Sequence, residues 1–214
     1  MKRGYIFFDF DGTISDAKKL TYGVFSEILD SHKYNYSKQK LKNLMGAKTP
    51  EILKGLEIEG ANVNEIRREF FKKAVNKASE KNLKLCADIK PLYNLKRKGY
   101  KLIVVSNSEK SFLKKSIKVL DIKNLFDKIY GSENFKTKDA LLKKLLKKYH
   151  VNSRKVFYVG DRFSDIDYAH KSKMIAVAIH NKCSWSSRSE VLKENPDFII
   201  KNFDDLKKLV LKED

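Results

Sequence analysis

From Pro91 onward, short apolar runs alternate with stretches of helical periodicity, and this alternation constrains the fold more than any other feature of the chain. Residues 102–105 (Leu-Ile-Val-Val) lead into a helical stretch over 112–120. Residues 126–130 lead into another over 140–149, and residues 156–159 (Val-Phe-Tyr-Val) into a third that starts near Ser164. Residues 175–179 and 198–200 read as two more strands, and a last helix falls over 206–209. Ahead of all these, Tyr5-Ile-Phe-Phe is a short apolar run that stops at polar Asp9. Strands this short and apolar are buried on both faces. Their alternation with helices predicts an α/β fold, a Rossmann-like parallel sheet with helices on both faces. Such sheets bind ligands beyond the carboxyl ends of their strands, so residues directly after strands are the functional candidates.

Residues 15–88 interrupt the pattern. Their apolar residues recur at helical spacing, as in Leu20, Val24, Phe25, Ile28 and Leu29, and again in Ile66, Phe70, Ala74 and Val75. The stretch reads as helical, with no convincing strand. The expected organisation is a core of residues 1–14 and 89–214, with a small α-helical cap of residues 15–88 inserted over the ligand-binding edge. No internal repeat or low-complexity linker divides the chain.

Composition narrows the setting. Apolar residues form 42% of the 214, enough for a real core. No run of about 18 apolar residues predicts a membrane span, and the N-terminus has no signal-peptide layout. Cys86 and Cys183 are the only cysteines, too few for a disulfide framework or a zinc site, and read as ordinary small residues. A cytoplasmic protein, monomer or homodimer, without membrane association, is the expectation. The net charge of +19 favours anionic partners in general. The excess is lysine spread along the whole chain, with Lys143-Lys144 and Lys147-Lys148 at spacings of solvated helix faces, and no nucleic-acid module accompanies it. Nucleic acid is therefore not the expected partner.

Three strands end in polar clusters. They are Asp9-Phe10-Asp11-Gly12-Thr13, Ser106-Asn107-Ser108, and Gly160-Asp161-Arg162-Phe163-Ser164-Asp165, and Lys138 stands at the expected start of a helix between the second and third. Topology brings all four segments to one sheet edge. Four carboxylates crowded there repel one another strongly, and a bound divalent cation removes that conflict. Hard oxygen donors without a nearby histidine or cysteine favour magnesium. A lysine and a serine hydroxyl could hold the oxygens of a phosphate, leaving one carboxylate to act as nucleophile and another to move protons.

The ordered motifs Asp9-Phe-Asp-Gly-Thr, Ser106, Lys138 and Gly160-Asp161-x-x-x-Asp165 resemble the haloacid dehalogenase-like superfamily on its phosphatase branch, and they frame nearly the whole chain. The resemblance implies a magnesium-dependent phosphatase in which Asp9 attacks phosphorus and forms an aspartyl-phosphate. Asp11 would protonate the leaving oxygen and then activate water. The side chain of Asp9, the backbone carbonyl of Asp11 and the side chain of Asp161 would hold magnesium, with Asp165 supporting the site directly, through water or through Lys138. Ser106 and the Asn107 amide would bind the phosphoryl group, Lys138 would steady Asp9 and the phosphate, and Thr13 would fix the Asp9–Asp11 loop, where Gly12 supplies freedom to turn. Lys136 competes with Lys138 for the lysine role, and the Ala140-Leu141-Leu142 pattern that follows favours Lys138. Asp167 reads as a surface acid.

The helical insert resembles the first cap class of that superfamily, which closes over the site. Within it, Met45-Gly46-Ala47-Lys48-Thr49-Pro50 marks a loop between helices. Lys48 could reach an anionic substrate there, and the same residues also read as a plain helix break, with Thr49 as N-cap and Pro50 opening the helix. The Gly-Asp-Arg stretch, the small cap and the Trp185 region look most like phosphoglycolate-phosphatase-like enzymes, a group acting also on nucleotides, sugar phosphates and pyrophosphate, so the expected partner is a small phosphorylated substrate. Trp185 itself reads as a loop packing residue. The sequence departs from relatives in lacking a proline after Lys138 and in carrying lysine in Lys171-Ser-Lys-Met174, where glycine is frequent. Two rival readings remain open, a sugar phosphomutase of the same superfamily and a basic nucleic-acid-binding protein on the same scaffold. The complete acidic set argues against the second.

Overall fold

The computed structural model describes residues 4–213. Strand β1 (Tyr5–Phe8) is followed by β2 (Ser15–Asp16) and by helices α1 (Lys18–Ser31), α2 (Lys38–Leu44), α3 (Thr49–Gly55) and α4 (Val63–Lys77). After β3 (Lys84–Leu85), the chain continues through α5 (Lys90–Arg97), β4 (Lys101–Val105), α6 (Lys110–Val119), β5 (Lys128–Tyr130) and α7 (Lys138–Tyr149). It ends with β6 (Phe157–Gly160), α8 (Phe163–Lys171), β7 (Ile175–Ile179), α9 (Arg188–Lys193), β8 (Phe198–Ile200) and α10 (Phe203–Lys212).

Six strands form one parallel sheet in the order β5-β4-β1-β6-β7-β8. Its side chains alternate between two cores, as a strand's period of two requires. Ile6, Phe8, Leu102, Val104 and Val159 pack with Leu92, Leu95, Leu113, Phe203 and Leu206 of α5, α6 and α10. Tyr5, Phe7, Ile103, Val105 and Tyr158 pack on the opposite face with Leu142, Leu145, Ile166 and Ala169 of α7 and α8. Both faces are covered, which is why the strands read as continuous apolar runs rather than alternating ones. The chain leaves β1 toward β4 and β5, then returns to β6 on the other side of β1. A crevice opens at the strand ends where the winding reverses, and it lies over β1.

Helices α1 to α4 enclose a separate cluster built on Val24, Phe25, Ile28, Leu41, Ile52, Ile66, Phe70 and Ala74. Phe112 of α6 joins this cluster and seats the helical layer on the sheet's flank. The stretch over 15–88 is not wholly free of strands, because Ser15–Asp16 and Lys84–Leu85 pair antiparallel at the two points where the chain enters and leaves the layer. Two residues per strand are too few to write a periodicity, and pairing with the opposite crossing alone creates them. Helices α5 and α9 are likewise absent from the sequence reading. Helix α3 begins at Thr49, so Lys48 rather than Thr49 stands at the capping position. Among the described residues, no helix is long and apolar enough to cross a membrane.

Candidate active site

Strand β1 delivers Asp9 into the crevice, and the turn after it is tied by the amides of Ile14 and Ser15, which both donate to the Phe10 carbonyl at 2.8 and 3.0 Å. Gly12 sits in this turn at φ +91°, and a Cβ there would lie 2.5 Å from an Asp161 carboxylate oxygen. Only glycine fits both the backbone and the space. The turn places the Asp11 carboxyl beside Asp9 and points the Thr13 hydroxyl at Asp161 Oδ1, 3.0 Å away.

Of the two lysines, Lys138, the first residue of α7, is the one that reaches Asp9. Its ammonium donates to Asp9 Oδ1 at 2.8 Å and to Asp165 Oδ1 at 2.6 Å, and all three side chains are buried. Lys136 borders the cavity instead. Burial opposes the Lys138 charge, but Asp165 and Asp9 outweigh it and hold the lysine protonated well above its ordinary range. The loop after β6 supplies Asp161, and the first turn of α8 supplies Asp165. Asp165 accepts the Arg162 amide at 3.2 Å and the Tyr158 hydroxyl at 3.3 Å, and so is fixed from below by the sheet. Asp167 points away and pairs with Lys171 at the surface.

The electrostatics are those of a crowded acidic site. Burial raises the Asp9 carboxyl to about 6, against the pull of Lys138. Burial raises Asp11 to about 7, against the Ser108 hydroxyl that donates to its Oδ2 at 2.5 Å. Burial and the charges of Asp9 and Asp165 push Asp161 well above the carboxylate range. Oxygen atoms of Asp9, Asp161 and Asp165 all lie within 4.8 Å of one another, and the three residues are buried. Such a set costs much free energy unless a cation neutralises it. An all-carboxylate donor set fits a hard divalent ion such as magnesium, which these three residues could hold.

Ser106 and Asn107 follow β4. Both border the same cavity as Asp9 and Asp11, a space of about 330 Å³ roofed by the helical layer. The Ser106 hydroxyl accepts the Ser108 amide at 3.1 Å. Three side chains, through four hydrogen bonds, hold the loop between α2 and α3 onto the sheet edge. Asn107 Nδ2 donates to the Gly46 carbonyl at 3.2 Å, Arg162 donates to the Met45 carbonyl, and Lys48 Nζ donates to the carbonyls of Phe135 and Lys136 at 2.8 and 2.9 Å. Burial lowers the Lys48 pKa, with Glu51 opposing. Lys48 thus both borders the cavity and fastens the loop.

Four residues at the site carry no site role in the sequence alone. Ser108 shares the cluster of Ser106, so its place was available in principle. Arg67 borders the cavity from α4 and pairs with Glu109 at 3.2 Å, and its spacing of three and four from Phe70 and Phe71 marks the same helix face. Arg162 carried no signal beyond its motif. Trp185 reads as loop packing, yet its indole N–H donates to the Asp11 carbonyl at 3.1 Å and its backbone N–H to Asp161 Oδ2 at 2.6 Å.

A family model described as haloacid dehalogenase-like hydrolase matches residues 6–179. A relative in Caldanaerobacter subterraneus subsp. tengcongensis, named pyrophosphatase PpaX, is 26% identical over 98% of this chain and 96% of its own. A phosphoglycolate phosphatase of Aquifex aeolicus is 31% identical over 54% of each chain, so the match spans about half of that enzyme. Among solved structures, a haloacid dehalogenase-like hydrolase from Bacteroides fragilis superposes with a TM-score of 0.83 at 22% identity, covering 96% of this chain and all of the other. CbbY from Rhodobacter sphaeroides, solved with phosphate, superposes with a TM-score of 0.80 at 16% identity, covering 94% of this chain and 95% of its own. At these identities the superpositions speak to the fold.

Proposed function

This chain belongs to the haloacid dehalogenase-like hydrolase family, and on that premise we propose that it is a magnesium-dependent phosphatase acting on a small phosphate monoester through an aspartyl-phosphate at Asp9. The observation that carries the reading is Asp9 at the floor of the cavity, one oxygen bound to Lys138, beside Asp11 with a carboxyl raised to about 7.

A carboxylate oxygen of Asp9 attacks phosphorus, and the bond from phosphorus to the ester oxygen breaks. Asp11 gives its proton to the departing oxygen, a task suited to an acid whose pKa lies near neutrality. Water then attacks the phosphoryl group while Asp11 takes its proton, releasing phosphate and restoring Asp9. Ser106 and Asn107 hold the phosphoryl oxygens, and Lys138 keeps Asp9 aimed and balances charge. Magnesium, held by Asp9, Asp161 and the Asp11 carbonyl with Asp165 in support, would neutralise the phosphate and the acids around it.

Residues 1–14 and 89–214 act as the catalytic unit in this reading, and residues 15–88 as a cap hinged at the β2–β3 pair. The enclosed volume supports a small substrate, and Lys48, Arg67 and Lys136 around it support an anionic one. The names of the relatives agree with a phosphate-bearing substrate. Phosphate release from a panel of small esters tests the assignment. Release that needs magnesium, stops with chelator and disappears in Asp9→Asn is the expected result. Release from no ester, or equal release by the variant, contradicts it.

A further inference from the structure

Trp185 is attached to the sheet by a loop after β7, yet it touches the two parts of the site that must cooperate. Its backbone N–H donates to one oxygen of Asp161 and the Thr13 hydroxyl to the other, so both ends of that carboxylate are restrained. Its indole N–H binds the Asp11 carbonyl. A carbonyl oxygen has two lone pairs, so this bond fixes the peptide plane and leaves one pair free for a cation. The ring lies between two glycines. A Cβ on Gly12 would come within 2.5 Å of ring atom Cδ1, and one on Gly46 within 3.5 Å of the same atom. Gly12 belongs to the turn that carries Asp11, and Gly46, at φ +88°, to the loop that seals the cavity. Lys18 of α1 anchors the arrangement, donating to the Ser184 carbonyl at 2.6 Å with its ammonium 5.6 Å from the ring centroid.

We propose that Trp185 is a positioning residue that orients two ligands of the divalent cation, the Asp161 carboxylate and the Asp11 carbonyl, and seats the sealing loop against them at Gly46. This rests on the magnesium-phosphatase reading for the identity of the cation. Groups that orient metal ligands contribute measurably to affinity although they do not touch the ion. A tryptophan that only fills space would not need its N–H.

The test is magnesium binding without substrate, followed by calorimetry in wild type and Trp185→Phe, which keeps a ring and loses the indole N–H. Affinity falls roughly 10-fold in the variant. Trp185 is the only tryptophan, so wild-type fluorescence gives a second readout that needs no substitution at that position. Its emission shifts saturably as magnesium is added, and the shift is absent in Asp161→Asn. Unchanged or tighter binding by Trp185→Phe overturns the proposal. So does a wild-type emission that stays constant while calorimetry registers binding, or a wild type that hydrolyses esters and binds no magnesium. Absence of ester hydrolysis by the wild type instead overturns the phosphatase reading, whatever the calorimeter shows.

Discussion

Lys138 lies between two buried carboxylates and is the residue on which their charge balance depends. Replacing it by methionine leaves both acids without a counter-charge. Removing one member of a buried ion pair costs about 3–5 kcal/mol, so metal-free Lys138→Met unfolds at markedly lower denaturant, and magnesium recovers part of the loss. A denaturant titration with and without magnesium reads both effects. Asp11 makes a different contribution, because its proposed role as acid needs the proton that burial helps it keep. Its acid is present below about pH 7 and lost as pH rises through that value, so the rate falls on the alkaline side. Asp9 must be ionised, so the rate also falls below about pH 6, and a bound cation moves this acidic limb lower. The pH profile of kcat/KM is therefore a bell whose alkaline limb reports Asp11. Asp11→Asn lowers kcat by roughly 100- to 10,000-fold, the usual range for a lost acid–base group. At this scale the sequence is informative wherever a residue ends a strand. That Asp9, Asp11, Ser106 and Asp161 come together at one sheet edge was legible from position alone, whereas the direction of the Lys138 side chain, toward Asp9, was not. Trp185 was not legible, since a loop residue after β7 carries no periodicity and its bonds run to residues 174 and 24 positions away.

The elements that matter most are the loop between α2 and α3 and the short β2–β3 pair. The loop is held by Asn107 and Arg162, which donate to its main-chain carbonyls, and by its own Lys48, which donates to the carbonyls of Phe135 and Lys136. Lys48→Met removes two such bonds. Hydrogen bonds to a charged group contribute about 1.5–3 kcal/mol, and partial exposure of Lys48 reduces this to about 1 kcal/mol. The expected result is a KM raised about fivefold, with faster proteolysis of the loop over 45–48. Steady-state kinetics and limited proteolysis check the two together. Strong periodicity made the long helices readable, and continuous apolar runs did the same for the β1, β4, β6 and β7 strands. The β2–β3 pair escaped because a two-residue strand is defined by its partner, not by its own sequence.

For the whole molecule, the fold stores an electrostatic conflict at one sheet edge and stabilises it elsewhere with two apolar cores on the sheet and a third in the helical layer. A ligand that relieves the conflict binds the folded state alone and stabilises it by mass action. At about 100 times its dissociation constant, magnesium adds about 2.7 kcal/mol, which raises Tm by roughly 5–10 °C for a domain of this size. Asp161→Asn weakens that response, which differential scanning calorimetry resolves. Architecture was legible at this scale because both faces of the sheet are covered, and that forces the continuous apolar runs. The high positive charge was not informative about mechanism, since the lysines that matter, Lys48 and Lys138, are distinguished only by where the fold carries them.

The central claim is that Asp9 takes the phosphoryl group covalently. The most direct test is to mix the protein with a turned-over ester and magnesium, quench in acid during turnover, digest, and weigh the peptide that contains Asp9. The account predicts a mass gain of one phosphoryl group on Asp9, absent in Asp9→Asn and without magnesium. A protein that turns the ester over while every such quench leaves that peptide unmodified, or carries the group on another residue, contradicts it.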